Sequence, residues 1–112
     1  MKELFVKNGD FLHKIELNEV YFFTKMKGKI IAVLENKKVP IATTSLYQLN
    51  ELLGSNKNFF RCHKSFIINI RKIEKISKYS SRTYNIMFRG IPEQAYITND
   101  NVKLLKERII VI

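Results

Sequence analysis

Cysteine is nearly missing from this 112-residue chain: Cys62 stands alone, so no intramolecular disulfide can form and nothing marks an oxidising compartment. A reducing cytoplasm is the setting this predicts. Glycine (4) and proline (2) are scarce, while hydrophobic residues reach 46% and aromatics 12%. That balance excludes a disordered tail and predicts a domain that folds alone. Long apolar runs are absent, which excludes a membrane-spanning helix. The opening Met1-Lys2-Glu3 mixes charge with apolar residues and lacks the apolar core of a signal peptide. Acidic side chains are the last shortage, 10 against 20 Lys and Arg for a net charge of +10, so an anionic partner is the first to consider.

What is present fits one domain, taken as residues 1–112, with no room for a separate catalytic or sensory domain. The positive charge is uneven. Residues 57–89 carry nine basic side chains and one acidic, whereas residues 1–56 carry eight and six and residues 90–112 three and three. The basic segment is rich in β-branched and aromatic residues, which disfavours the amphipathic basic helix of a membrane-surface protein. Enzyme chemistry finds little support: there is no Gly-rich phosphate loop and no second thiol, and His13 with His63 cannot complete a metal site. No catalytic residue, metal or cofactor is expected.

Short β-like segments dominate the first 43 residues: Leu4 to Lys7, Leu12 to Leu17, Val20 to Thr24, Lys29 to Glu35 and Val39 to Thr43. Asn8-Gly9-Asp10, Lys25 to Gly28 and Asn36-Lys37-Lys38 separate them and favour chain reversal. Pro40 cannot donate a ladder hydrogen bond, so its strand belongs at an edge. Ser45 with Gln48 makes a capping box for a helix whose Leu46, Leu49 and Leu53 share a core-facing side. Lys72 to Tyr79 and Tyr84 to Arg89 read as a strand pair turning at Ser80 to Thr83, followed by a strand over Glu93 to Thr98. Asn99 or Asp100 is placed to cap a final helix with Val102, Leu105 and Ile109 on one stripe.

The most informative stretch is Asn58-Phe59-Phe60-Arg61-Cys62-His63-Lys64-Ser65-Phe66-Ile67-Ile68-Asn69. Its apolar members can anchor a short loop firmly enough to present Arg61, Lys64 and Ser65 in fixed directions. A rotatable ammonium, a planar guanidinium and a short hydroxyl suit contacts to phosphate. His63 reads better as a neutral imidazole bonded to backbone in an aromatic turn, and Asn69 as a turn-fixing amide. Cys62 reads as a small buried side chain.

Phe-x-Arg-x-His-Lys-Ser-x-Ile-x-Asn, ending at Asn69, resembles the signature of the LytTR family, the DNA-binding output domains of many bacterial response regulators. The resemblance covers nearly the whole chain. It implies a mainly β fold, an elongated sandwich of several short antiparallel sheets with one short helix after the first strand group and a C-terminal helical segment. It also implies sequence-specific binding of double-stranded DNA at promoter direct repeats, by loops that enter successive major grooves and bend the duplex. Three contact regions follow: Lys25, Lys27 and Lys29 around Gly28; Arg61, Lys64 and Ser65; and Asn99, Asn101 and Lys103. Gly28 and Asp100 stand where relatives carry base-reading side chains, which leaves open a protein-interaction or inhibitory module with weakened base readout. Asp100 also reads as a helix cap. RNA binding has no aromatic strand motif behind it. A receiver domain or partner regulator, and a dimer on DNA, are the further partners implied. Whether the chain is an excised output domain or a stand-alone regulator stays open.

Overall fold

Apolar residues in continuous runs, Tyr21-Phe22-Phe23, Ile30 to Leu34 and Phe66-Ile67-Ile68, demand strands covered on both faces. The computed structural model, which describes residues 3–41 and 44–112, builds its central sheet from these runs. The strands are β1 (Glu3–Asn8), β2 (Phe11–Glu16), β3 (Phe22–Met26), β4 (Lys29–Val33), β5 (Lys38–Ile41), β6 (Phe59–His63), β7 (Phe66–Asn69), β8 (Ile73–Lys78), β9 (Thr83–Phe88) and β10 (Gln94–Thr98). Helix α1 (Leu46–Leu52) follows β5, and α2 (Asn99–Lys106) follows β10. Among the described residues three antiparallel sheets result: the β1-β2 hairpin, a central sheet ordered β5-β4-β3-β7-β6, and a smaller sheet ordered β10-β9-β8.

The central sheet separates two cores. Phe23, Ile30, Ala32, Ile41 and Ile67 point to the side covered by Leu46, Leu49 and Leu53 and by Val6 and Ile15 of the first hairpin. Their neighbours Phe22, Val33, Cys62 and Ile68 point the other way, onto Ile86, Phe88, Ala95 and Ile97 of the smaller sheet and Leu105 of α2. Alternate side chains of one strand therefore serve different cores, and each buried Phe or Ile stabilises by about 1.5–3 kcal/mol. The molecule is elongated, 47 × 28 × 26 Å.

Local signals explain most boundaries. The Ser45 hydroxyl accepts from Gln48 N at 3.1 Å while Gln48 Oε1 accepts from Ser45 N at 3.3 Å, closing the expected capping box. Pro40 lies on β5 at the sheet edge. Ala42 and Thr43, assigned by sequence to the same strand, lie outside the described residues. Other boundaries differ from expectation. Leu17 opens a short 3-10 turn instead of ending β2. Helix α2 stops at Lys106, so Ile109 is not on its stripe, and its cap is Thr98, whose hydroxyl accepts from Asn101 N at 3.3 Å. Neither Asn99 nor Asp100 is the cap. The signature stretch is no free loop but the β6-β7 hairpin, with a bulge between Arg61 and His63.

Candidate nucleic-acid interface

The β3-β4 turn is built around Lys27 and Gly28, both at positive φ (51° and 79°), with Met26 opposite Lys29. Two positive φ values in a two-residue connection match the twist of the flanking strands. Gly28 makes that conformation easy; Lys27 adopts it at some cost. Lys25 and Lys29 leave opposite faces of the hairpin and Lys27 sits at the tip, all three exposed.

The β6-β7 turn, Lys64-Ser65, lies beside this tip because β3 pairs with β7 from Phe22↔Ile68 to Thr24↔Phe66. Lys25 N donates to Ser65 O at 3.1 Å, stapling the two turns together. Arg61 Nη2 donates to Lys64 O at 3.1 Å, and Ser65 N donates to His63 Nδ1 at 3.1 Å. The turn backbone is thus held from three sides while the Lys64 ammonium stays exposed and Ser65 half-buried. Arg61 spends part of its fork bracing the turn. Acceptance at Nδ1 requires His63 without a proton there, and burial first, then the Lys64 charge, holds its pKa below the ordinary histidine value. His63 also packs edge-on against Phe66 at 5.6 Å. Phe66 contacts both Phe22 (5.7 Å) and Tyr96 (6.0 Å), tying the turn to both β layers.

The start of α2 comes to the same end. Asn101 Nδ2 donates to Cys62 O in the β6 bulge at 2.9 Å. Asn99 Nδ2 donates to Ser81 O at 2.8 Å, and Asn99 N to Arg82 O at 3.1 Å, in the turn between β8 and β9. These amides therefore position the first turn of α2, and the donors assigned by sequence to an outside partner are engaged within the fold. Asn99 Oδ1 is buried without a partner among the described residues. Lys103 and Asp100 are exposed, and Asp100 sits in the first helical turn, where a carboxylate complements the helix dipole. Arg82 was missed by the sequence reading: it looked like turn filler, yet the Asn99 bonds carry it, exposed, to the lysine-bearing end.

The basic segment that is contiguous in sequence is not one patch in space. Arg71 and Lys72 follow Asn69 at the opposite end of β7, and Arg89 follows Phe88, which pairs with Ile73 at that same far end. There Lys72 Nζ lies 5.0 Å over the Tyr21 ring and Arg89 reaches Glu74 at 3.9 Å. Lys57 also lies there, its carbonyl accepting from Arg108 at 2.9 Å. Asn69 is buried at this end, donating to Val20 O at 2.9 Å and accepting from Arg71 N at 3.1 Å. Cys62 is fully buried and its thiol is pushed up to about 12 by that burial, so it is unreactive.

The LytTR family model, described as the LytTr DNA-binding domain, matches residues 10–110. The chain belongs to the LytTR DNA-binding domain family. Its sequence is 34% identical over 102 residues to the transcriptional regulatory protein NatR of Bacillus subtilis strain 168, covering 85% of this chain and 43% of that protein. It is 29% identical over 100 residues to accessory gene regulator protein A of Staphylococcus aureus strain N315, covering 88% of this chain and 39% of that protein. This LytTR chain thus spans about two fifths of the length of these relatives. Its fold is similar to a LytTr DNA-binding domain of a Bacillus cereus protein described as a methyl-accepting/DNA response regulator, with a TM-score of 0.78, 18% identity and 99% of both chains covered. No helix among the described residues is long and apolar enough to cross a membrane.

Proposed function

We propose that this LytTR domain binds double-stranded DNA for transcriptional regulation, with its lysine-bearing end as the interface. The observation that carries this reading is the pair of stapled turns. A β-hairpin tip is narrow enough for the major groove, and here Lys27 crowns one tip while Lys64 crowns its neighbour, joined through Lys25 N and Ser65 O. Lys64 and the three β3-β4 lysines clamp phosphates, with Ser65 as a short hydroxyl donor and Arg61 holding the turn in shape. The Asn101 bond to the β6 bulge sets the start of α2, with Lys103, for a neighbouring groove. Insertion into successive grooves bends the duplex, and two copies occupy direct repeats in promoters. The names of the relatives support a role within longer regulators, where a receiver domain would supply the control.

A second reading is favoured by Gly28 and Asp100 together with the internal engagement of Asn99 and Asn101: an interaction module that keeps the fold and little base readout. Anisotropy titration of labelled promoter repeats and scrambled duplexes separates the two. Tighter binding to some promoter repeats, falling steeply with salt, supports the first reading. No binding at low salt, with capture of a partner regulator, supports the second.

A further inference from the structure

The first hairpin carries an unpaired strand edge whose sequence complements itself. Among the described residues β1 and β2 pair only with each other, and no backbone hydrogen bond from outside the hairpin reaches residues 3–8. Gly9-Asp10 forms a two-residue turn that makes Asn8↔Phe11 the first bonded pair. By antiparallel alternation Val6↔His13 and Leu4↔Ile15 are then bonded as well, so the N–H and C=O groups of Glu3, Phe5 and Lys7 point away from β2. Their side chains share the hairpin's solvent face, and Phe5 is 57% exposed.

We propose that the outer edge of β1 pairs with the same edge of a second copy about a two-fold axis at Phe5. In that register Phe5 meets Phe5, Leu4 meets Val6, and Glu3 meets Lys7 twice. Every outward backbone group of Glu3, Phe5 and Lys7 gains a partner, and both charge pairs attract. Within one copy Glu3 lies directly across from Glu16, a like-charge pair. Glu16 has Lys14 at 3.2 Å, and the pairing supplies the partner's Lys7 to Glu3. The β2 edge offers no equivalent, since a two-fold axis at Lys14 sets Lys14 against itself. Edges are commonly protected by charged side chains, Lys above all, whereas the charges on this edge are of both signs and in self-complementary positions. Neighbouring copies on direct repeats are related by translation, which a two-fold contact does not satisfy, so the pairing belongs to the chain away from such sites. It stands independently of the DNA-binding reading.

Sedimentation of the whole chain between roughly 10 µM and 1 mM tests it, the range suited to a small interface. The expected result is a monomer–dimer equilibrium, with amide exchange slowing at Phe5 and Lys7 as concentration rises while Leu12 and Lys14 amides are unchanged. Lys7→Glu, which turns both attractive pairs repulsive, should weaken dimerisation about ten-fold or more, and adding Glu3→Lys should restore it. Far-UV circular dichroism and urea midpoints show whether each variant is folded. A wild-type chain that stays monomeric at the highest concentration overturns the proposal, as does a folded charge-swapped double variant that remains as weak as Lys7→Glu.

Discussion

The split of the positive charge between two ends of the molecule can be tested through the salt dependence of DNA binding. Lys25, Lys27, Lys29 and Lys64 are exposed around the stapled turns. If each neutralises one phosphate, these four contribute about −3.6 to the slope of log affinity against log salt, which alone lowers affinity about 150-fold between 50 and 200 mM salt. Lys64→Ala or Lys27→Ala should flatten the slope by about 0.9 each. Lys57, Arg71, Lys72 and Arg89 belong to the same sequence segment as Lys64 but to the far end, so their alanine variants should leave the slope unchanged. Fluorescence anisotropy with a labelled duplex of fixed length, titrated at five or more salt concentrations, gives both quantities. If the far-end variants flatten the slope as much as the turn variants, the grip is a matter of net charge and the assignment of an interface to the stapled turns is refuted.

Four further outcomes follow. Asn69→Ala strips two hydrogen bonds and leaves the carbonyl of fully buried Val20 unpaired, which should cost about 2–4 kcal/mol in urea unfolding. At Gly90, φ is +97° and an added Cβ would lie 2.8 Å from Tyr21 Oη; Gly90→Ala should cost about 1–3 kcal/mol, and adding Tyr21→Phe should recover part of it. His63 has a depressed folded pKa, so its contribution is full above the ordinary value of about 6.5 and is lost as pH falls toward the folded value; urea midpoints should drop on acidification more in wild type than in His63→Ala. Asp100→Asn removes an exposed carboxylate from the lysine-bearing end and should tighten binding several-fold on every duplex, whereas a loss confined to particular sequences would mean that Asp100 accepts from a base.

The strands were legible where the chain is apolar at every position or capped by unambiguous turn residues. Phe22-Phe23 and Ile67-Ile68 have few alternatives to a strand covered on both faces, and Ser45 with Gln48 has none better than a capping box. The cap of α2 was placed one or two residues late, at Asn99 or Asp100, because Thr98 was counted in the preceding strand and all three residue types suit the role. The decision comes from tertiary structure: Thr98 pairs with Thr83 at the end of β10, which holds it extended as a cap must be. Asn99 and Asn101 could not be separated by sequence into ligand-facing and fold-facing residues, since an amide serves either purpose. Their partners, Ser81 O and Cys62 O, lie 18 and 39 residues away. The run of charge from Lys57 to Arg89 is divided for a similar reason: Lys64 stands in the turn before β7, whereas Arg71 and Lys72 follow its other end and Arg89 follows Phe88, the partner of Ile73.

The way the turns are held bears on what they can recognise. Backbone at the β6-β7 turn is fixed by Arg61, His63 and Lys25, and α2 is fixed by Asn99 and Asn101. What remains free at this end is mostly lysine, a compact charge on a flexible stem that grips phosphate well and reads base edges poorly compared with a guanidinium fork. In the proposed interface, rigid turns carrying flexible charges would set the spacing of contacts along the phosphate backbone more closely than the identity of any base pair. Discrimination by that interface would then fall on how readily a sequence adopts the groove width and bend that the fixed spacing demands. On that argument, flexible pyrimidine–purine steps between the contacted grooves should change affinity more than exchanges of the base pairs facing Gly28.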